Sequence, residues 1–340
     1  MAEAKSNMFA DEVTSILSQK VTFVPSASSA DNLAAKCPFH KGGQEKRPSF
    51  YVYTGPTKSA RQVTGSAFCH TCNEGWSFVN LLRKLGIGRS YVDAAREIVE
   101  ELAPKRRSYY DQISLEMTVL PEVILGVFEY APKSLLSDGF DKELLKEFDI
   151  GFDFARKRVI FPLRDHVGNL VGISGRSVTG DFPRYKIYKE ELREVASGYE
   201  FKKGRILWGL DRFYTTAMQV GLRSPVVVCE GFKAAMWVAQ CGFPNVVALL
   251  GAHCSPEQKL LLSRVTNEVV LFLDNDGPGR KATYKVSKFL SVDTDVHIAS
   301  YPSSKFGASP DDLRPEEVRA AIKKPLTKYE WRQSWADQKR

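Results

Sequence analysis

Three apolar runs of strand length lie within residues 226–282, and each ends in glycine or an acid. The first is Val-Val-Val-Cys-Glu-Gly (226–231), the second Asn-Val-Val-Ala-Leu-Leu-Gly (245–251), and the third Leu-Phe-Leu-Asp-Asn-Asp-Gly-Pro-Gly-Arg (271–280). Each is followed by a stretch that can be helical. A βαβαβα order calls for a parallel sheet covered by helices. In such sheets ligands sit beyond the carboxyl ends of the strands. Glu230, Asp274 and Asp276 fall there. Acids crowded at one strand end repel one another unless a cation neutralises them, and an all-oxygen set suits Mg²⁺ or Mn²⁺. Gly277 and Gly279 allow the sharp turn after the acids. Ser255-Pro-Glu-Gln258 is a capping box with proline at the first helical position, so a crossover helix starts there. Residues 278–290 make the next helix, and 295–301 a fourth strand.

Six cysteines stand in the chain, and their spacing points to metal rather than to disulfides. Cys37-Pro-Phe-His40 and Cys69-His-Thr-Cys72 are two pairs, each separated by two residues. That spacing lets both members of a pair reach one ion from a tight turn, and the four together suit tetrahedral zinc. His70 competes for the fourth ligand position. Ser49–Tyr53 has strand composition, so the module reads as a zinc ribbon. Cys229, Cys241 and Cys254 read as buried small residues. A short amphipathic helix is expected over 8–19, and two more over 79–85 and 92–102.

Between these parts, Gly151–Arg176 reads as β-strands with a turn at 165–169. Basic residues recur among its apolar positions and beyond: Arg158, Arg164, Arg176, Arg184 and Lys203. Strand alternation would set some of them on one face. A basic face beside an acid cluster suits a protein that grips a nucleic-acid backbone and a triphosphate together.

Glu-Gly after one strand and Asp-x-Asp-x-x-Gly after a later one resemble the TOPRIM domain of primases, topoisomerases and some nucleases. Cys-Pro-Phe-His, Arg47-Pro-Ser-Phe50 and the closing Cys72-Asn-Glu-Gly75 resemble the CHC2 zinc finger of DnaG-type primases. The middle segment is similar to the catalytic core of the same family, through Arg-x-Ile-Phe-Pro-Leu-Arg-Asp, Val-Gly-Ile-Ser-Gly-Arg, Pro-Arg-Tyr, Phe-x-Lys-Gly and Leu-Trp-Gly-Leu. The likeness runs from about 25 to 313. It implies a DNA primase that makes short RNA primers on single-stranded DNA from nucleoside triphosphates. One structural zinc would sit on Cys37, His40, Cys69 and Cys72. Two Mg²⁺ or Mn²⁺ ions would sit on Glu230, Asp274, Asp276 and Asp312. Arg158, Arg164, Arg176, Arg184 and Lys203 would contact template or nucleotide, and Lys41, Lys46, Arg47, Lys58 and Arg61 could touch phosphates. Two departures stand out. The acid of Glu-Gly-x-x-Asp is Ala234 here, and Lys-Asp-Pro-x-Asp reads Ala308-Ser-Pro-Asp-Asp312. They imply fewer protein ligands per ion, or lower activity.

The expected fold is mixed α+β and α/β. It comprises a zinc-binding domain (1–103), a linker (104–118), a basic subdomain (119–222), a TOPRIM subdomain (223–314) and a C-terminal tail or helix (315–340). A mobile linker would let the zinc module reach template at a distance. Net charge is +8, and the chain is 43% hydrophobic and 26% charged, an ordinary globular composition suited to a polyanionic partner. With no apolar run of membrane length and no signal sequence, the expectation is a cytoplasmic protein without a membrane partner. No P-loop occurs in the sequence, so a fused helicase motor is not expected. The expected partners are an RNA–DNA hybrid product and a replicative helicase, which the Trp331/Trp335 tail could dock. A TOPRIM nuclease and a non-catalytic zinc-dependent DNA-binding protein are the alternatives.

Overall fold

The computed structural model describes residues 11, 13–40, 43–55, 65–87, 113–222, 224–291 and 294–337. The expected helix over 92–102 and most of the linker lie outside them, as do Lys41, Lys58 and Arg61. Residues 113–118 carry no regular structure.

The chain divides into two compact units, and these do not follow the boundaries drawn from the sequence. One unit takes residues up to 113 together with 284–298 and 326–340. The other takes 114–283 and 299–325. Late segments thus join the zinc module, because packing partners are set by apolar faces and not by chain order.

The first unit is built on a four-stranded antiparallel sheet, β1 (Asn32–Ala35), β2 (Phe50–Tyr53), β3 (Ala67–Cys69) and β4 (Glu74–Trp76), paired in that order. This is the expected ribbon. Alternation buries Ala67 and Cys69 of β3 and leaves Phe68 half-exposed. Helix Phe78–Lys84 follows the sheet. Val13, Leu17, Phe50, Trp76 and Leu81 fill the core, and Tyr329 packs against it. A metal module this small has little core of its own, so borrowed apolar surface counts. Strands β12 (Asp295–Ile298) and β13 (Leu326–Thr327) pair antiparallel in the same unit, followed by helix Lys328–Asp337. The fourth strand is shorter than expected, and the tail is a helix with its first turn tied to the ribbon.

The second unit holds two sheets. One is antiparallel: β5 (Gly151–Asp153), β6 (Arg158–Arg164), β7 (Leu170–Ser177) and β8 (Tyr185–Ile187). The turn between β6 and β7 is closed by Asp165, whose side chain accepts the N–H groups of Val167 and Asn169. In the other sheet, β9 (Val226–Cys229) lies between β10 (Val246–Ala248) and β11 (Glu268–Phe272), parallel to both. All four residues of β9 are buried, as a central parallel strand requires. Helices Phe232–Gln240, Pro256–Val265 and Gly277–Leu290 follow these strands. The capping box is present: Ser255 Oγ accepts the Gln258 N–H at 3.0 Å, and Gln258 Oε1 accepts the Ser255 N–H at 3.0 Å.

Trp208 joins the two sheets. Its backbone N–H donates to the Ala248 carbonyl at 3.1 Å and its carbonyl accepts from Ala248 at 2.9 Å. Its indole N–H donates to the Pro162 carbonyl of β6 at 2.8 Å. The ring stacks on Phe148 and meets Phe161 and Phe232 edge-on. Rigid aromatic packing of this kind fixes the antiparallel sheet against β10 and the start of the helix after β9. Among the described residues no helix is long and apolar enough to cross a membrane.

Candidate metal centre and active-site cleft

Cys37, His40, Cys69 and Cys72 are all buried, with ligand atoms within 4.8 Å of one another. Cys37 Sγ and Cys72 Sγ lie 3.8 Å apart. That is about the separation of two thiolates bound at ~2.3 Å to one tetrahedral zinc. His40 Nδ1 is 3.0 Å from Cys72 Sγ and 3.8 Å from Cys69 Sγ. Three thiols this close cannot all ionise without a cation. Hydrogen bonding to Cys69 and burial push the Cys37 thiol up. The same crowding raises Cys72, while thiol hydrogen bonds from Cys37 and Cys72 pull Cys69 down. The donor set therefore fits a dication that takes all three as thiolates. His70 is exposed, with its ring against Tyr51 and Phe68, whereas the ring of His40 converges with the three thiols.

One residue of this centre escaped the sequence. Glu45 accepts from His40 Nε2 at 2.9 Å, from the Cys37 backbone N–H at 2.7 Å and from the Ser49 hydroxyl at 2.8 Å. Burial pushes its carboxyl up, but the hydrogen bonds from Cys37, Ser49 and His40 outweigh it and hold the group below its ordinary range. An acid in the turn just after Cys-Pro-Phe-His was the available signal. A carboxylate on the far nitrogen of a ligating histidine fixes its tautomer and ring orientation.

In the second unit a cavity of ≈ 400 Å³ opens at the carboxyl ends of β9 and β11. Glu230, Asp274, Asp311, Lys203 and Arg184 are among its lining residues. Burial first, and then the charges of Glu230 and Asp311, push the Asp274 carboxyl up to about 7. Burial and Asp276 raise Glu230, and Lys203 partly offsets this. Mutual repulsion of this kind marks carboxylates short of positive charge, a donor set that fits a hard divalent cation. Even so, Glu230, Asp274 and Asp276 are not a preformed cage. Among the described residues, the Cys/His group is where three or more such ligand atoms lie within 4.8 Å.

Asp276 has a second task. Its Oδ1 accepts the Gly279 N–H at 2.6 Å, at the start of helix Gly277–Leu290. A Cβ on Gly279 would lie 2.1 Å from the Asp274 carbonyl oxygen, so only glycine lets the two acids turn this closely. Asp312, expected as a metal ligand, spends Oδ2 on the N–H and hydroxyl of Ser309, each at 2.8 Å. Its neighbour Asp311 lines the cavity instead, which the sequence did not indicate.

The five basic residues separate. Lys203 and Arg184 line the acid cavity. Arg176 lines an adjoining cavity of ≈ 440 Å³ that also contains Arg184, and its Nε is buried with no hydrogen-bond partner. Arg158 is buried, its guanidinium donating to the carbonyls of Gly175 and Pro183 at 3.0 Å each. It staples β6 to β7 and to the chain before β8, and nothing in the guanidinium's position serves a polyanion. Arg164 is paired with Glu122 at 2.6 Å and Asp149 at 2.8 Å, beside a different cavity. Alternation predicted charge on a face but could not tell a free guanidinium from a neutralised one.

Comparison with known proteins agrees with this architecture. Residues 224–300 match the Toprim domain family. The DNA primase of Deinococcus radiodurans is 28% identical over 319 residues, which cover 80% of this chain and 52% of the relative. The DNA primase of Thermotoga maritima is 27% identical over 365 residues, covering 94% of this chain and 62% of the relative. The chain thus spans about half the length of the curated relatives it matches, 52% and 56% for the first two. Among solved structures, the zinc-binding and RNA polymerase domains of the Aquifex aeolicus primase superpose with a TM-score of 0.50 at 22% identity, over 94% of this chain and 85% of that one. A DNA primase domain from Pseudomonas aeruginosa gives a TM-score of 0.50 at 24% identity, over 62% of this chain and 80% of that one. These likenesses establish the fold.

Proposed function

We propose that this chain is a DNA primase of the DnaG type, polymerising nucleoside triphosphates into short RNA primers on single-stranded DNA. The observation that carries the reading is one cleft that lines up Glu230 and Asp274 with Lys203 and Arg184 at the ends of parallel strands. A Cys/His cluster on the same chain supports it, because the similar Aquifex aeolicus structure also joins a zinc-binding domain to an RNA polymerase domain.

Mg²⁺ or Mn²⁺, when bound, supplies Lewis acidity and charge neutralisation at the nucleotide phosphates. Glu230 and Asp274 would hold it, and Asp276 shapes the turn that presents Asp274. Lys203 and Arg184 neutralise the triphosphate and orient it for in-line attack by a 3′-hydroxyl, with pyrophosphate leaving. Arg184 also lines the adjoining cavity with Arg176, and there the two grip the template backbone. The zinc on Cys37, His40, Cys69 and Cys72 is structural, and its ribbon contacts template through surface charge such as Lys46 and Arg47, both exposed. The partners under this reading are single-stranded DNA, nucleoside triphosphates, the RNA–DNA hybrid and a replicative helicase, in a cytoplasmic setting.

The test is incubation of the zinc-loaded protein with single-stranded DNA, labelled nucleoside triphosphates and Mg²⁺ or Mn²⁺. Short RNA products that vanish in Asp274→Ala are expected. Cleaved DNA without RNA would replace this reading with a nuclease. DNA binding without incorporation would replace it with a binding protein.

A further inference from the structure

The acid cleft contains an ammonium group that already sits between two carboxylates. Lys233, in the first turn of helix Phe232–Gln240, places Nζ 3.0 Å from Asp138 Oδ2 and 3.3 Å from Asp311 Oδ2. The Lys233 and Asp311 side chains are only 18% and 14% exposed, so water screens this pair poorly. Nζ also lies 5.7 Å from the centroid of the Phe140 ring, which favours a cation there.

The acids near the cleft thereby fall into two groups. Asp311 has a resident counter-ion, while Asp276 and Asp312 each hold a backbone N–H. Glu230 and Asp274 have no ion pair within 4 Å among the described residues, and burial, with repulsion from neighbouring acids, raises both. A dication placed beside Asp311 would meet the Lys233 ammonium at close range, where like charges repel strongly. At Glu230 and Asp274 the facing ammonium is Lys203, which lines the same cavity but forms no ion pair with either acid, so a dication there displaces no resident counter-ion.

We propose that Lys233 stands in for one divalent cation: its ammonium neutralises the Asp138–Asp311 side of the cleft, so the nucleotide-free protein takes up a single Mg²⁺ or Mn²⁺, at Glu230 and Asp274. This rests on the reading of the cleft as a divalent-ion site. It narrows the two-ion expectation from the sequence to one protein-held ion, with the second charge supplied by the lysine.

The experiment counts bound Mn²⁺ by the loss of its free-ion electron paramagnetic resonance signal. It uses the zinc-loaded full chain at pH 8, without DNA or nucleotide, so that it does not depend on catalysis. One Mn²⁺ per chain is expected for the wild type. Lys233→Met should bind two, and Lys233→Met with Asp311→Asn should return to one. Asp311→Asn alone should keep the count at one with affinity within threefold, and this arm holds even if Lys233→Met fails to fold. Two ions in the wild type, or loss of the ion in Asp311→Asn, would overturn the inference while leaving the proposed function standing. An unchanged count of one in a folded Lys233→Met would overturn it as well. No Mn²⁺ bound by any form would overturn both.

Discussion

His40 Nε2 lies 2.9 Å from a carboxylate oxygen of Glu45, and this leaves Nδ1 as the ring nitrogen that faces the thiols. The same carboxylate takes the Cys37 N–H, so one residue orients both members of the first ligand pair. Glu45→Gln should therefore weaken zinc about 10–100-fold, the usual cost of losing such a partner. Chelator competition followed by zinc release measures it. Wild-type affinity in a folded Glu45→Gln protein would show that the contact does not orient the ligand.

A second carboxylate organises the ribbon from the other end of the sequence. Glu74 is buried on β4 and accepts the backbone N–H of Lys328 at 3.1 Å, while the Lys328 ammonium donates to the Asn73 carbonyl. Lys84 adds a charge 3.8 Å from Glu74 and 3.5 Å from Asp295. Burial pushes Glu74 up, and Lys84 and Lys328 draw it back. Removing one partner leaves a buried charge poorly compensated. Lys328→Met should destabilise this unit by about 3 kcal/mol. Pairing it with Glu74→Gln should recover more than half of that. Denaturant unfolding of the single and double variants reads the coupling, and strictly additive effects would contradict it.

The acid cleft predicts a pH dependence of known sign. Asp274 is raised by burial and neighbouring acids to about 7, against 3.8 for the free side chain. Between those values the folded state holds a proton that the unfolded chain has lost, so its contribution lowers stability as pH rises. In metal-free protein, melting temperature should fall between about pH 4 and 7 more steeply in the wild type than in Asp274→Asn. Mn²⁺ affinity should rise through the upper part of that window, because the ion competes with the proton. Melting curves at several pH values, with and without Mn²⁺, check both. A wild-type profile parallel to that of Asp274→Asn would contradict the assignment.

Arg158 and Arg184 look alike as basic residues in β-rich sequence, but their substitutions should act differently. Arg158→Met removes the donor from the buried Gly175 carbonyl and the half-buried contact with Pro183, and should cost about 2 kcal/mol. Arg184→Ala touches an exposed residue and should leave stability within about 0.5 kcal/mol. It should instead weaken single-stranded DNA binding and lower the salt dependence by about one phosphate contact. Unfolding curves and salt titrations of DNA binding separate the two. A stable Arg158→Met with weakened DNA binding would reverse the assignment.

The parts that local sequence determined are those whose physics is local. The strands around Val226–Cys229 and Glu268–Phe272 were legible because burial on both faces requires unbroken apolar runs. The metal centre was legible because a two-residue spacing by itself brings Cys37 to His40 and Cys69 to Cys72. Ser255 declared its helix because a cap bonds only three residues away.

Only the tertiary structure decided what depends on distant partners. Arg158 meets carbonyls 17 and 25 residues along the chain, so no local pattern could mark it as a staple. Asp311 and Asp312 are adjacent, yet a single turn of 3-10 helix sends one to a cavity and the other to a Ser309 cap. The grouping of 284–298 and 326–340 with the ribbon rests on contacts such as Glu74 with Lys328, 254 residues apart. Spacing and periodicity specify which atoms a short segment can present. Which of those atoms remain free for metal or polyanion is settled by hydrogen bonds and ion pairs that form only once the chain has closed on itself.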